Sequence, residues 1–404
     1  MPIVGRPVMP VPLSAPKRRQ RPVTRLRMEQ TVLFSADDAT PRRVNAPVVI
    51  ETRHADWIRR DMSGVCFRLP QEAYALLADY APARKLADCV EITALLKSWQ
   101  SAEPIRQIRR PLYGSSPPAA TTTLPCAKDL LHGNYGTQEA VAYAGGKARR
   151  ISPSWLYNLD DMVLSPMKVQ PVGADEIIHV SGVVSWNVER HVLDASNPTA
   201  QCHRILDYAD RMLHEADASL ADLLRVRTYC AHPRVGRIMA QCLAQRIGSD
   251  AACVHHVIAT LDPGDLDPLC CEVQFVAARV PRCGIPNGVC FLLGGLRHLY
   301  FGPICASSEY ERIAVTTEAE QLARGVLGAC AGAGIQPARI VSLFLECADQ
   351  HVGDLFVRQL NEQSRGRIRC GVTASVNLRL LERVGRRLVA SGAAIGSQTR
   401  LRTL

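Results

Sequence analysis

The stretch Leu220-Ala221-Asp222-Leu223-Leu224-Arg225-Val226-Arg227-Thr228-Tyr229-Cys230 reads as a turn that delivers the chain into a strand over Asp222–Cys230. Working outward, Pro198–Asp217 is predicted as a helix: Pro198 suits a first turn, and Ile205, Leu206, Met212 and Leu213 share a spaced apolar face. Before that helix, Glu176–Ser181 alternates as a strand that stops at Gly182. After the central strand come a second helix, Gly236–Ile247, and two apolar strands, Val254–Leu261 and Cys270–Ala278, joined by a loop containing Pro263-Gly264. The order is strand, helix, strand, helix, strand, strand.

The same order returns further along the chain. His298–Phe301 reads as a strand ending at Gly302, Thr317–Ala333 as a helix closed by Gly334, Arg339–Glu346 as a strand and Val352–Asn361 as a helix. Ile368–Leu378 and Val384–Val389 complete the set as strands. Gly182 and Gly302 lie 120 residues apart, and Leu224 and Val341 lie 117 apart, which predicts a duplicated domain. Upstream, residues 31–110 read as a mixed segment, with a strand at Val48–Glu51 and helical spacing over Gln71–Leu77 and Arg84–Trp99. Pro111–Pro125 reads as a loop, and Gly133-Asn134-Tyr135-Gly136-Thr137 and Gly145-Gly146 as turns. The Gly-x-x-Gly there lacks the Lys-Ser/Thr ending that a phosphate loop needs. The predicted division is a disordered basic tail over 1–30, an N-terminal domain over 31–165, and two related domains over 166–282 and 288–395.

A chain of 404 residues with 47% hydrophobic and 21% charged residues has the composition of two or three folded domains, not of a disordered protein, a collagen or a coiled coil. No apolar run reaches the roughly 18–20 residues that span a bilayer, so no membrane partner is expected. The formal net charge of +10 suggests nucleic acid until it is located. Residues 1–27 hold seven basic groups and no acidic ones, so the other 377 residues carry only +3, and nucleic acid is not an expected partner. The tail is rich in proline and lacks the apolar core of a secretion signal, so the cytoplasm is the expected location. The fifteen cysteines include no Cys-x-x-Cys; the nearest pair is Cys270–Cys271. Cys66, Cys230, Cys271 and Cys290 sit in apolar runs, where a thiol behaves as a small hydrophobe. No metal and no cofactor are expected.

Five short pieces occur in order between Ile177 and Ala278: Val180-Ser181-Gly182, Thr199-Ala200-Gln201, Leu206-Asp207, Leu220-Ala221-Asp222-Leu223-Leu224 and Cys271-Glu272-Val273-Gln274-Phe275-Val276-Ala277. In that order they resemble one domain of the Rid/YjgF family of enamine/imine deaminases, and residues 297–390 resemble it more weakly. The resemblance implies an α+β fold: two tandem Rid/YjgF-like (chorismate-mutase-like) domains, each a mixed sheet with helices on one face, plus an N-terminal α/β segment open to being a degenerate third copy. Domains of this family close as trimers with ligand clefts between neighbours, so a pseudo-trimer or homo-oligomer is implied, with a small-molecule substrate. In the family an arginine at the start of the fifth element binds the substrate carboxylate, as its planar fork suits. A glutamate on the last strand and a tyrosine before the first strand order water and substrate.

Carried over residue by residue, Glu272 falls on the glutamate position, Cys253 on the arginine position, and Met167 or Lys168 on the tyrosine position. The catalytic candidates are Glu272, Cys253 and His255; His255 and His256 are adjacent groups that titrate near neutral pH, and a strand would turn one of the two to the core. The substrate-binding candidates are Gly182, Lys168, Arg367 and Arg369. In the second copy Arg369 or Cys370 takes the arginine position, and Arg365, Arg367 and Arg369 alternate, as an anion-binding row or as a charged edge strand. Its last strand has no matching glutamate: Arg386 and Arg387 occupy the region and Glu382 is out of register.

Three functional readings follow. One is a divergent hydrolase or deaminase-like enzyme acting on a carboxylate-bearing or imine/enamine intermediate in a specialised pathway. A second is a chorismatase-like hydrolase releasing pyruvate from chorismate, which fits the extra N-terminal segment. The Trp-Asn-Tyr motif associated with that group is absent, with Trp155-Leu156-Tyr157-Asn158 its nearest echo. The third is a non-catalytic ligand-binding or assembly protein on the same fold.

Overall fold

The structure, a computed structural model, describes residues 31–35, 43–44, 89–96, 106, 110, 113–125, 136–144, 147–248, 251–258, 269–307, 313–368, 372–376 and 385–396. The basic tail, Val48–Glu51, Gln71–Leu77, Arg369 and Cys370 lie outside the described residues.

The architecture is mixed α+β, built on three sheets. The first contains β1 (Thr31–Ser35), β2 (Arg43–Val44), β3 (Cys89–Leu96), β4 (Ala120–Pro125) and β5 (Gly136–Ala144), in the order β2-β1-β5-β3-β4. The second contains β6 (Arg149–Ile151), β7 (Met167–Val172), β8 (Asp175–Val183), β9 (Leu223–Cys230), β10 (Val254–Ile258) and β11 (Cys271–Ala277), in the order β6-β7-β8-β11-β9-β10. The third contains β12 (Arg282–Ile285), β13 (Gly288–Leu293), β14 (Leu296–Ile304), β15 (Ile340–Cys347), β16 (Val372–Val376) and β17 (Leu388–Ile395), in the order β12-β13-β14-β17-β15-β16. In each sheet one strand pairs in parallel with the next strand in sequence and antiparallel with the last: β3 with β4 and β5, β9 with β10 and β11, β15 with β16 and β17. The first sheet departs from the plan where β1 runs parallel to β5, since β8 and β14 run antiparallel to β11 and β17.

Four helices cover the outer faces of the second and third sheets: α1 (Pro198–His214), α2 (Pro233–Ile247), α3 (Val315–Gly332) and α4 (Gln350–Gln363). Their limits follow from local chemistry. The Asn197 side chain accepts the Ala200 N–H at 3.1 Å, with Pro198 in the first turn of α1. His232 caps α2 by accepting the Arg234 N–H, and Gly248 closes that helix at φ 83°, where a β-carbon would be strained. Asp349 caps α4 through the Val352 N–H at 2.9 Å.

A parallel pair needs a crossover, and α2 supplies it between β9 and β10 as α4 does between β15 and β16. The inward side chains of α1 and α2 pack on Val226, Val273 and Phe275, and those of α3 and α4 on Leu299, Leu343 and Leu345. The opposite sheet faces meet one another. Leu124, Tyr229, Ile258 and Phe344 form one cluster drawn from all three sheets, and Val90, Val254, Phe291 and Val341 belong to another. Strands buried on both faces lose the two-residue alternation that identifies a half-exposed strand.

That loss explains the corrections upstream. Arg84–Trp99 does not form the expected helix; Cys89–Leu96 within it is β3, and residues 90–94 are all buried, so periodicity alone cannot separate strand from core helix. The expected loop Pro111–Pro125 ends as β4, where the β-branched run Thr121-Thr122-Thr123 prevails over the flanking prolines. Gly136 and Thr137 open β5 instead of closing a turn. Arg365 and Arg367 do not lie on a strand: they follow α4, Arg365 at φ 55°, and the described strand begins at Val372. Arg149–Ile151 pairs with β7, so the second sheet starts there, and Arg282–Ile285 already belongs to the third.

Candidate functional site

Strand β4 packs against β8, fixed by the Ser165 N–H donating to the Ala119 carbonyl at 3.0 Å. Gln274 on β11 and Thr93 on β3 exchange a hydrogen bond at 3.0 Å across the same boundary. Beside this seam lies a shallow cleft with about 40 Å³ of accessible volume.

Two residues picked from the sequence meet in its wall. The pairing of β8 with β11 slips between Val180↔Phe275 and Val183↔Val273, so Ser181 and Gly182 form a bulge. A β-carbon on Gly182 would overlap the Glu272 carboxyl group, so the glycine leaves the room that the acid occupies. Glu272 is 8% exposed. Burial pushes its carboxyl up to about 8, so it is largely protonated at neutral pH. Among the described residues no cation or hydrogen-bond donor is paired with it.

Tyr157 lies beside Glu272 on the cleft wall. Its hydroxyl oxygen accepts the Val184 N–H at 3.1 Å, which leaves its own proton to donate. Burial holds that phenol well above its usual range, and the nearby Glu272 carboxylate form adds to the effect. Trp186 meets Tyr157 edge to face at 5.3 Å, and the Trp186 carbonyl accepts the Tyr208 hydroxyl at 2.8 Å. This aromatic wall is therefore held from behind. Across the cleft stand Thr121 and Thr123 from β4, and Arg106 supplies a cation to the lining.

The remaining sequence candidates lie elsewhere. Cys253 and His255 sit at the far edge of the second sheet, away from the cleft lining. Burial pushes the Cys253 thiol up to about 12. His255 contacts the Thr228 hydroxyl at 2.9 Å, and burial, then the neighbouring His256, pull it down to about 4, which leaves a neutral ring at pH 7. Lys168 is buried between sheets and donates to the Pro117 carbonyl at 3.0 Å. Arg367 is exposed after α4.

Two further buried polar groups join the sheets. Glu91 of β3 receives Arg225 and His179 at 2.5 Å each. Burial opposes its charge, but Arg225, the His179 hydrogen bond and Arg227 together hold the carboxyl well below its usual range. At the boundary between β10 and β14, His256 contacts Glu346 at 2.9 Å through Nε2 and Ser391 at 2.8 Å through Nδ1, with all three residues buried.

Arg106, Tyr157 and Trp186 escaped sequence reasoning as site residues. Tyr157 lay in the Trp155-Leu156-Tyr157-Asn158 echo, whereas Arg106 carries no local signal at all, because only the folded chain places it in the same cleft lining as Glu272. Among the described residues, no group of three or more His, Cys, Asp or Glu side chains is placed to hold a metal ion, and no helix is long and apolar enough to cross a membrane.

No family model matches the chain, and neither does any curated protein. Solved structures do, each over about a third of the chain. A member of the YjgF/YER057c/UK114 family from Mycobacterium tuberculosis is 21% identical, over 32% of this chain and 98% of its own, with a TM-score of 0.25. Yeast Mmf1 is 13% identical, over 32% of this chain and 97% of its own, with a TM-score of 0.27. The Rid-family protein YyfB from Yersinia pestis is 26% identical, over 32% of this chain and 97% of its own, with a TM-score of 0.23.

Proposed function

We propose that this chain is a small-molecule hydrolase of the deaminase type, acting on a carboxylate-bearing imine in the cleft between β4 and β8. The observation that carries the reading is Glu272: a buried carboxyl, raised to about 8 by burial, facing open space that Gly182 keeps clear. A carboxyl that titrates near the working pH is suited to give and take a proton in one cycle.

Arg106 exchanges its present partner for the substrate carboxylate and sets the imine carbon over Glu272. Neutral Glu272 gives its proton to the imine nitrogen; as a carboxylate it then takes a proton from the water that adds to the carbon. The product is a carbinolamine, and Glu272 is protonated again. A second transfer to the amine nitrogen expels ammonia while the hydroxyl proton returns to Glu272, leaving a 2-oxo acid. The Tyr157 hydroxyl and the Thr121 and Thr123 hydroxyls are the groups available to orient water.

The same reading takes the three sheets as copies of one domain, so that one chain forms a pseudo-trimer. Support comes from the shared strand order and from the parallel-then-antiparallel pairing of β3, β9 and β15. The test is hydrolysis of 2-iminoacids freshly generated by an amino-acid oxidase, with chorismate run beside them. Acceleration over buffer by the wild-type chain, cut at least about 100-fold in Glu272→Gln, is the expected result. Undiminished turnover in that variant removes Glu272 from the mechanism, and saturable binding without product leaves a ligand-binding protein.

A further inference from the structure

We infer that Cys270 and Cys202 form a peroxide-reactive thiol pair where α1 meets β11, with Cys270 the attacking group and Cys202 the resolving one. Three thiols meet there, on the helix-covered face of the second sheet. Cys270 Sγ lies 3.8 Å from Cys271 Sγ, and the Cys202 thiol is within hydrogen-bonding reach of both. Cys202 and Cys271 are buried, and Cys270 is the partly exposed member that a small oxidant can reach. The backbone of Cys270 is pinned on both sides. Its N–H donates to Gln201 Oε1 at 3.1 Å, and its carbonyl accepts the Ala231 N–H at 3.2 Å. Gln201 is itself buried and donates through Nε2 to the Asp194 carbonyl at 3.2 Å, so the residue next to Cys202 fixes where Cys270 stands.

The three thiols are not equivalent. Hydrogen bonds with Cys202 and then with Cys271 hold the Cys270 thiol below the ordinary cysteine range. The bond to Cys270 pushes Cys202 up, and the bonds to Cys202 and Cys270 push Cys271 up. Thiolate character therefore collects on the group that solvent reaches. Bridging geometry then selects the partner. Consecutive α-carbons stand about 3.8 Å apart across a trans peptide, below the roughly 4.4 Å at which disulfides begin, so Cys270 does not pair with Cys271. Cys202 comes from a different element and has no such limit.

The chemistry balances with hydrogen peroxide as the oxidant. The Cys270 thiolate attacks one peroxide oxygen, the O–O bond breaks, and hydroxide leaves, taking up the proton that Cys270 released. Cys270 is then a sulfenic acid. The Cys202 sulfur attacks the Cys270 sulfur, and its proton joins the expelled hydroxyl as water. Two thiols and one peroxide have become one disulfide and two waters, with two electrons passed from sulfur to oxygen. An added dithiol reverses the step by exchange. The pair lies behind the cleft wall, since Leu269 and Glu272 flank Cys270 and Cys271 in the chain, but its reactivity needs nothing from the cleft.

The experiment treats the intact, reduced chain with one equivalent of hydrogen peroxide at pH 7, quenches with N-ethylmaleimide and maps thiols and bridges by peptide mass spectrometry. A Cys202–Cys270 bridge is expected, reopened by dithiothreitol, with Cys270 consumed at least about tenfold faster than the exposed Cys305 of the same molecule. Cys202→Ser should stop at the sulfenic acid, trapped by dimedone on Cys270, and Cys271→Ser should still form the bridge. Consumption of Cys270 no faster than Cys305 overturns the inference. So does a bridge joining Cys270 or Cys202 to any other cysteine, or dimedone on another residue in Cys202→Ser. The wild-type map decides the matter even if a variant fails to fold.

Discussion

Where β4 meets β8 the chain keeps an open cleft, and where β10 meets β14 it has a closed, hydrogen-bonded joint. The strands are arranged alike at both boundaries, and the pairing register shows where they diverge. In the second sheet Cys271 faces Cys230 and Glu272 faces Tyr229; in the third, Leu388 faces Cys347 and Val389 faces Glu346. The acid lies on the last strand in the second sheet and on that strand's neighbour in the third. There it is 0% exposed and bonded to His256, which in turn contacts Ser391. At the first boundary the acid lies over a glycine, and among the described residues no cation is paired with it. One arrangement leaves a neutral carboxyl facing a cleft, and the other uses a carboxyl to hold two sheets together. A buried carboxyl group therefore signals chemistry only when its partner has been left out and space has been left in.

The first way to break this comparison is Glu346→Ala. Removing one member of a buried, bonded pair leaves His256 desolvated and is expected to cost about 3–5 kcal/mol, read as a lower denaturant midpoint. Ligand binding in the β4–β8 cleft should survive in whatever fraction remains folded. A midpoint within experimental error of wild type would show that the joint is not a joint.

Gly182→Ala attacks the open side. The added methyl overlaps the Glu272 carboxyl and must displace it, so turnover should fall about 10- to 100-fold while the thermal midpoint moves little. An unaffected rate would mean that Glu272 has room to spare.

A third comparison uses pH. The folded-state value of Glu272, about 8, lies above its ordinary 4.5, so the folded chain holds a proton that the unfolded chain releases. Stability on account of this group is therefore greatest below 4.5, declines as pH rises toward 8 and levels off above it. A neutral acid is also required for the first proton transfer, so kcat/KM should drop about tenfold per pH unit above 8. Glu272→Gln should melt higher than wild type at pH 9 and lose that advantage at pH 4. A flat melting difference across this range would show that the carboxyl is not held neutral by burial.

The smallest effect is expected at His255. It contacts Thr228, away from the cleft lining, and His255→Ala should change turnover less than about twofold. A large loss would move the chemistry to the far edge of the second sheet.

How much of this was legible depended on what each residue reports locally. Helix α1 announced itself by Pro198 and its spaced apolar face, and β8, β9 and β11 by apolar runs between turns. Strand β3 did not, because a strand buried on both faces resembles a core helix. Strand β4 did not, because prolines surround its threonines. Glu272 and Gly182 were singled out because both lie in short pieces with a family resemblance, and the fold brings them together in the cleft wall. Cys253, His255 and Lys168 were drawn in by position along the chain, but the sheet turns or carries them away from the cleft.

The sequence by itself determined the helices and central strands of the second and third units, the bulge glycine and the acid opposite it, because those depend on neighbours a few residues away. Tertiary structure decided which boundary stayed open. Arg106 and Glu272 line one cleft although 166 positions separate them, and His256 reaches Glu346 across 90, so neither arrangement leaves a trace in local composition. Charge, solvation and free space at a site are set by everything that packs around it, and only the folded chain brings those neighbours together.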